Sequence, residues 1–433
     1  MKITVVGSGP VAFYCAWKLT SAGFDISIAA PEERQKPELI MQDAYNSAEG
    51  VNENQGLWGG FFGGLKHKIS QSSEAADLGA SGSGAAGLET GDPEVSEQEI
   101  FRPVYGPVTP RSGLVIIAVP AHRLAEVLER EPALGEPQFE ILFLGSCVAG
   151  MEEWAARLGA SQVIYGFPGF SAALEGNRVS YVDRDERGED TWGITVGGLR
   201  PGDVTGGIKP IQLPEDNILN IGQKKWVAGI GEAGRASEAG GIGGISGADG
   251  QGIDDTGFYD EDGLERETDA GFGRGETQGT EGLFFCQELF AAAGVPAVRE
   301  PVMTPYYLGQ AALRLPMLAA LDIAGGSLEG LVNRNDLLKP MVKGIREGLA
   351  MIRAQGLPLV PSGLSLYRSV PIFVVVNSMR RGFKSVSSEI GIETFGRRST
   401  KESAFLAGQL LELCRANGLA APNLEFLFEA AFS

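Results

Sequence analysis

Apolar positions open the chain as two short runs, Ile3 to Val6 and Phe24 to Ala29, with helically spaced apolar residues from Val11 to Ser21 between them. That order predicts a strand-turn-helix-strand unit. A continuous apolar strand followed by a helix recurs in SGLVIIAVPAHRLAEVLER. The same form returns in FEILFLGSCVAGMEEWAARLG, and SQVIYGFPG opens another strand. Near-continuous apolar strands alternating with helices predict a parallel sheet covered on both faces. RVSYVDR and TWGITVGGL read as strands extending that sheet to about residue 200.

The pattern breaks twice. From about residue 50 to 106 the text turns irregular and includes SQSSEAADLGASGSGAAGLETGDPEVSEQE, a low-complexity stretch expected to be a long mobile insertion. A second stretch, 201–282, is rich in glycine and acids; only DNILNIGQKKWVAGIG within it has strand character. Beyond Leu283 the period is helical: Phe284 to Ala293, Tyr306 to Ile323, Leu337 to Gln355, Pro371 to Gly382 and Thr400 to Asn417.

Between the first strand and helix lies Gly7-Ser8-Gly9-Pro10-Val11-Ala12, a G-x-G-x-x-A loop. Gly7 permits a tight turn, Gly9 lets the backbone approach a pyrophosphate, and Ala12 keeps helix and strand close. The free amides at the helix start then face the phosphates. The predicted class is therefore α/β. A Rossmann-type parallel-sheet domain over 1–200 binds a dinucleotide, 201–282 is an insertion or linker, and an all-helical domain for substrate and dimerisation covers 283–433. At the end of the second strand, Glu32 is placed to accept from a ribose hydroxyl and Arg34 to meet a phosphate, so NAD and NADP both stay open. A solvated charged loop accounts for those two residues equally well.

Composition narrows the classes. The formal charge of −19 is concentrated: Gly250 to Glu276 carries nine acids against two arginines, contributing −7. The mildly acidic remainder argues against nucleic-acid binding. No apolar run reaches bilayer length, so neither a membrane span nor a membrane partner is expected, and a soluble cytoplasmic protein is the default. Four scattered cysteines, Cys15, Cys147, Cys286 and Cys414, read as reduced and buried. Two histidines, His67 and His122, exclude a histidine-rich metal centre. GGISGADG and DDTGFYDEDG each miss a calcium motif, and a plain solvated loop is the expectation there.

Several of these segments together resemble the ketopantoate reductase-like oxidoreductases (2-dehydropantoate 2-reductases). The nucleotide loop, LVIIAVPAHRL and GFPGFSAALEGNRVSYV are similar to that family's Rossmann half. FFCQELFAAAGVPAVREPVMTPYY and REGLAMIRAQGLPL resemble its central helices, and GRRSTKESAFLAGQLLELCRANGLAAPN resembles its closing Gly-Arg-x-x-Glu segment. The likeness covers about two-thirds of the chain and omits both insertions. It implies a nicotinamide cofactor, NADP by slight preference over NAD, held at the Gly7–Ala12 loop with Val119, Pro120 and His122 nearby. It also implies a small 2-keto or hydroxy acid as substrate, an interdomain cleft and a homodimer.

The resemblance places the family glutamate on Glu402, whose ordinary role would be that of an exposed acid at a helix start. The family lysine falls on Tyr307 or Leu308, and a family asparagine falls near Ser146. Loss of the lysine leaves Tyr307 as candidate proton donor, although packing of the pair Tyr306-Tyr307 explains it as well. Lys209, Lys224 and Lys225 of the second insertion reach the cleft only if that insertion folds over it. An opine dehydrogenase-like imine reductase has a similar plan but commonly relies on a C-terminal histidine, and this chain has none after His122. A nucleotide-binding protein without catalysis is the third reading.

Overall fold

The structure is a computed structural model that describes residues 2–44, 98–109, 112–135, 140–150, 163–182, 193–198, 277–384, 392 and 400–432. Most of both predicted insertions, together with Lys209, Lys224 and Lys225 and the two near-calcium motifs, lies outside the described residues.

The predicted opening unit is present as β1 (Lys2–Val6), α1 (Pro10–Ser21) and β2 (Asp25–Ala29). Strands β3 (Leu39–Asp43) and β4 (Glu99–Phe101) lead to β5 (Ser112–Ile117), the short helix α2 (Leu124–Arg130), β6 (Glu140–Leu144) and β7 (Val163–Pro168). Then come β8 (Ser171–Glu175), β9 (Arg178–Val182), β10 (Ile194–Gly198), α3 (Thr277–Ala292) and β11 (Ala297–Val302). A seven-stranded sheet runs in the order β11-β10-β7-β6-β5-β1-β2. Its strands β2, β1, β5, β6 and β7 are mutually parallel, and their inner residues, among them Val5, Leu114, Ile116 and Leu142, are fully buried. Three buried hydroxyls sit across neighbouring strands and satisfy one another. Thr4 Oγ1 lies 2.8 Å from Ser112 Oγ and 3.2 Å from Ser27 Oγ.

Several expectations need correction. RVSYVDR does not extend the main sheet, because β9 belongs to a second, four-stranded sheet ordered β4-β3-β9-β8. That sheet gives α1 a second apolar neighbour: Tyr14 packs on Phe170 at 4.2 Å and on Tyr181 at 5.3 Å between ring centroids, and the Trp17 indole donates to Glu99 at 3.0 Å. A helix buried by two sheets is apolar nearly all round, as the run Ala12 to Trp17 is. Nor is the end of the first insertion irregular. Glu99–Phe101 pairs with β3, and the Tyr105 hydroxyl exchanges hydrogen bonds with the backbone of Lys36.

TWGITVGGL does join the main sheet, but as β10, antiparallel to β7. The chain from 283 is not all helical either, since β11 pairs in parallel with β10. Cys286, Leu289 and Phe290 of α3 pack into the same apolar cluster as α1 and β1. An edge strand exposed on one face, with Val298 outward, offers only a short apolar signal. The helical region therefore begins at Met303.

From there the chain is helical. α4 (Met303–Ile323) continues straight from β11, followed by α5 (Leu328–Val332), α6 (Asn335–Ala354), α7 (Leu366–Ser369), α8 (Ile372–Gly382), α9 (Thr400–Ala416) and α10 (Pro422–Phe432). They share one core built on Leu338, Met341, Ile345, Leu410 and Leu424. No helix among the described residues is long and apolar enough to cross a membrane.

Helices α4 and α6 cross closely because Gly348 lacks a side chain, and a Cβ there would lie 2.8 Å from Ala312 Cβ. Helix propensity favours alanine over that glycine by about 0.5–1 kcal/mol and valine by less, whereas overpacking costs about 1–3 kcal/mol. Gly348→Val is therefore expected to lower the thermal midpoint, measured by circular dichroism.

Candidate active site

Strand order reverses between β1 and β5, and loops leaving the carboxyl ends of these two strands flank a crevice there. Gly7 follows β1 with φ +141°, its amide donating to Ala29 O at 3.0 Å, and any Cβ at this position would run into the carbonyl of Ala118. Only glycine serves there. Gly9 differs: its backbone is extended, and a Cβ would meet nothing within 4 Å. Pro10 opens α1, no side chain caps that end and no acid stands in its first turn, so the Val11 and Ala12 amides precede the helical bonding pattern. Ser8 lies between the two glycines on the same loop. Such a bare, uncapped helix start fits a pyrophosphate.

After β2, Glu32 and Arg34 occupy an exposed 3₁₀ turn, Glu32–Arg34. After β5, Val119 and Pro120 lead into a second 3₁₀ turn, Ala121–Arg123. His122 sits there with its ring 6.4 Å from that of Phe405, and its buried Nδ1 has no hydrogen-bond partner. Burial, and after it the charges of Arg123 and Lys401, push its pKa down, favouring neutral imidazole.

Beside this turn a cavity of about 420 Å³, its open mouth included, separates the sheet from the helical region. One wall is the loop after β6, Ser146 to Val148, with Phe167 at the end of β7. The other is the face of α4 that carries Tyr307, Gln310, Ala311, Arg314, Leu315 and Leu318. Glu402, Ser403 and Leu406 of α9 close it. Tyr307, Ser146 and Glu402, far apart in sequence, thus meet in one space. The Ala121 amide donates to Glu402 Oε1 at 3.4 Å, tying α9 to the turn after β5. Glu402 is largely enclosed. Burial raises its pKa, while the Ala121 amide and the Arg314 charge act in the opposite direction.

Tyr307 is wholly buried, and its hydroxyl donates to Gly166 O at 2.9 Å. Burial raises its pKa well above the ordinary value. Its proton is therefore committed to the main chain.

Arg314 is the residue that sequence reasoning missed. Its guanidinium carbon lies 5.4 Å from the centre of the Phe167 ring, and burial, opposed by Glu402, lowers its pKa. The signal was present: Arg314 is the only basic residue in the 21 residues of α4. Gln310 and Ser403 add an amide and a buried hydroxyl. No cluster of metal-ligating residues occurs among the described residues.

No family model and no curated protein matches the sequence. Solved structures do match in shape. D-mandelate dehydrogenase, solved with NADH and anilino(oxo)acetate, aligns over 100% of this chain and 97% of its own with a TM-score of 0.58 at 11% identity. The 2-dehydropantoate 2-reductase from Geobacter metallireducens aligns over 100% and 99%, with a TM-score of 0.54 at 13% identity. A dimeric ketopantoate reductase from Staphylococcus aureus aligns over 99% and 96%, with a TM-score of 0.50 at 8% identity. The chain has the ketopantoate reductase fold.

Within that fold, Gly166 O also accepts from the Gly145 amide at 3.1 Å, so it keeps a partner if the Tyr307 hydroxyl is removed. Tyr307→Phe should then cost about 1 kcal/mol, the net worth of one buried hydrogen bond, rather than a full desolvation penalty. The urea unfolding midpoint measures it.

Proposed function

We propose that this protein is a nicotinamide-dependent oxidoreductase of the ketopantoate reductase type, interconverting a small 2-keto acid and the corresponding hydroxy acid. The observation that supports this best is the cavity in which Glu402, Arg314, Ser146 and Tyr307 converge beside the crevice at β1 and β5. Titratable groups of opposite sign, shifted by burial in one cleft, mark a candidate functional site, because such an arrangement adds little stability for its desolvation cost.

In this reading the Gly7–Ala12 loop holds the dinucleotide pyrophosphate, and Val119, Pro120 and His122 lie along its path toward the cavity. A bound nicotinamide supplies the hydride. Glu32 meets the ribose or Arg34 a 2′-phosphate; both NAD and NADP remain compatible with this turn. Ketone reduction places negative charge on the substrate oxygen, and a positioned acid contributes roughly 10²–10⁴-fold. The proposal assigns that proton to Glu402, whose buried carboxyl holds one to higher pH than an exposed carboxyl does. Tyr307, first expected as donor, becomes a wall residue that seats the β7 backbone. Ser146 offers a hydroxyl to the substrate from the β6 loop.

Homodimer formation and a keto or hydroxy acid as partner belong to the same proposal, supported by the dimeric Staphylococcus aureus enzyme and by D-mandelate dehydrogenase as structural neighbours. The opine dehydrogenase-like alternative is less supported because His122 is the last histidine in the chain.

Gly9→Asp separates binding from folding. The Gly9 backbone accommodates any residue and its Cβ would point into open space, while aspartate at a helix N-cap is at least as stabilising as glycine, by a few tenths of a kcal/mol. NADH and NADPH fluorescence titrations should show binding by the unaltered protein and none by Gly9→Asp, with the melting temperature held or raised. Unchanged nicotinamide binding in that variant would refute the cofactor assignment.

A further inference from the structure

The cavity contains something the proposed reaction does not by itself demand: a guanidinium enclosed with the Glu402 carboxyl, beside a largely apolar stretch of wall. Phe167, Leu315, Leu318 and Leu406 supply most of that wall, and Arg314 lies over the Phe167 ring. A planar guanidinium with five donors matches a carboxylate through two parallel hydrogen bonds. The surrounding carbon suits a branched or aromatic side chain. With Glu402 ionised, however, Arg314 is already balanced, and a second anion would add a net buried negative charge.

Resting on the 2-keto acid reading, we infer that Arg314 anchors the carboxylate of a 2-keto acid bearing an apolar side chain, and that this anion enters as Glu402 takes up one proton. The cavity then keeps one cation and one anion before and after binding. The proton arrives on the side chain assigned above to protonate the carbonyl.

The charged and titratable groups around Glu402 are few. Helix α4 brings Arg314, Tyr306 and Tyr307; the β6 loop brings Cys147; the turn after β5 brings His122 and Arg123; and α9 itself brings Lys401. Helices α6 and α10 bring Glu347 and Glu425 to Cys414, twelve residues along α9 and so about 18 Å away. His122 titrates too, but its neutral form is the one favoured, and substituting Glu402 alone leaves it in place.

The sign follows directly. As pH rises, free Glu402 ionises and its proton must be restored on binding, so affinity falls, approaching tenfold per pH unit on the alkaline side. Calorimetric titration with phenylglyoxylate, without cofactor and with saturating NAD⁺, which cannot turn the keto acid over, measures this. Parallel titrations in two buffers of different ionisation enthalpy count the protons. The expected result is uptake of close to one proton, a pH-dependent affinity, and a Glu402→Gln protein that binds with little pH dependence. Arg314→Gln should weaken binding at least a hundredfold. It should also lose the preference for phenylglyoxylate over its neutral amide. Arg314→Lys, which keeps the charge and loses the fork, should weaken binding about tenfold and serves if Arg314→Gln does not fold.

No phenylglyoxylate binding at any pH, a pH-independent affinity in the unaltered protein, or Arg314 variants within threefold of it would overturn the inference. Nicotinamide binding is read separately by fluorescence, so a failure of the cofactor assignment shows itself independently of Arg314.

Discussion

A guanidinium and a carboxylate enclosed between the sheet and the helices are the constraint from which the rest of the molecule can be understood. Removing either charge from water costs several kcal/mol, and their attraction repays it only when geometry and further hydrogen bonds are good. The groups involved come from three separate elements. Arg314 comes from the face of α4, Glu402 from the first turn of α9, and the Ala121 amide from the turn after β5. That amide contact reaches across the junction between the nucleotide-loop half and the helical half, so a polar group at the interface is also a structural tie. An apolar replacement would pack more cheaply. The energetic disadvantage is the argument for a chemical role.

Local physics explains which parts of this arrangement were legible in the chain. Most of the longer elements buried on one side or all round announced themselves. β1, α1, β2 and β5 follow the apolar runs closely, as do the helices α4, α6, α8 and α9. The loop after β1 was legible because its two glycines have different duties: Gly7 is forced by the Ala118 carbonyl, and Gly9 stands against open space. Legibility failed where an element's apolar signal is short or shared. β3 and β4 are short strands whose partners lie elsewhere in the chain, so no periodic pattern spans them. β11 is an edge strand with Val298 outward, and β9 alternates like a member of the main sheet although its partners belong to another. Pairing choice is a tertiary property that the residues of one strand do not encode alone.

The cavity divides in the same way. Glu402, Tyr307 and Ser146 could be placed by resemblance to a known pattern, and all three line it. Their roles could not be placed, because a role depends on what else is present. The Tyr307 hydroxyl is a donor in any inventory, yet Gly166 O already holds its proton. Arg314 went unnoticed because no motif contains it, and it became visible only when α4 was set against Phe167 and Glu402.

Helix geometry links that arginine to Tyr307. Seven residues separate Tyr307 from Arg314, almost two full turns, so both lie on one face of α4 about 10.5 Å apart along its axis. Tyr307, one of the two positions on which the resemblance places a family lysine, packs on Phe167 with ring centroids 6.2 Å apart. The cationic charge on this face stands two turns after Tyr307, above the same phenylalanine. Compared with a lysine, a guanidinium there is a poor proton source and a good carboxylate clasp. In the proposed reaction the acid's part therefore falls to Glu402, the carboxyl lining the same cavity. On the proposed reading the cleft divides the two tasks, with Arg314 holding a substrate and Glu402 protonating it.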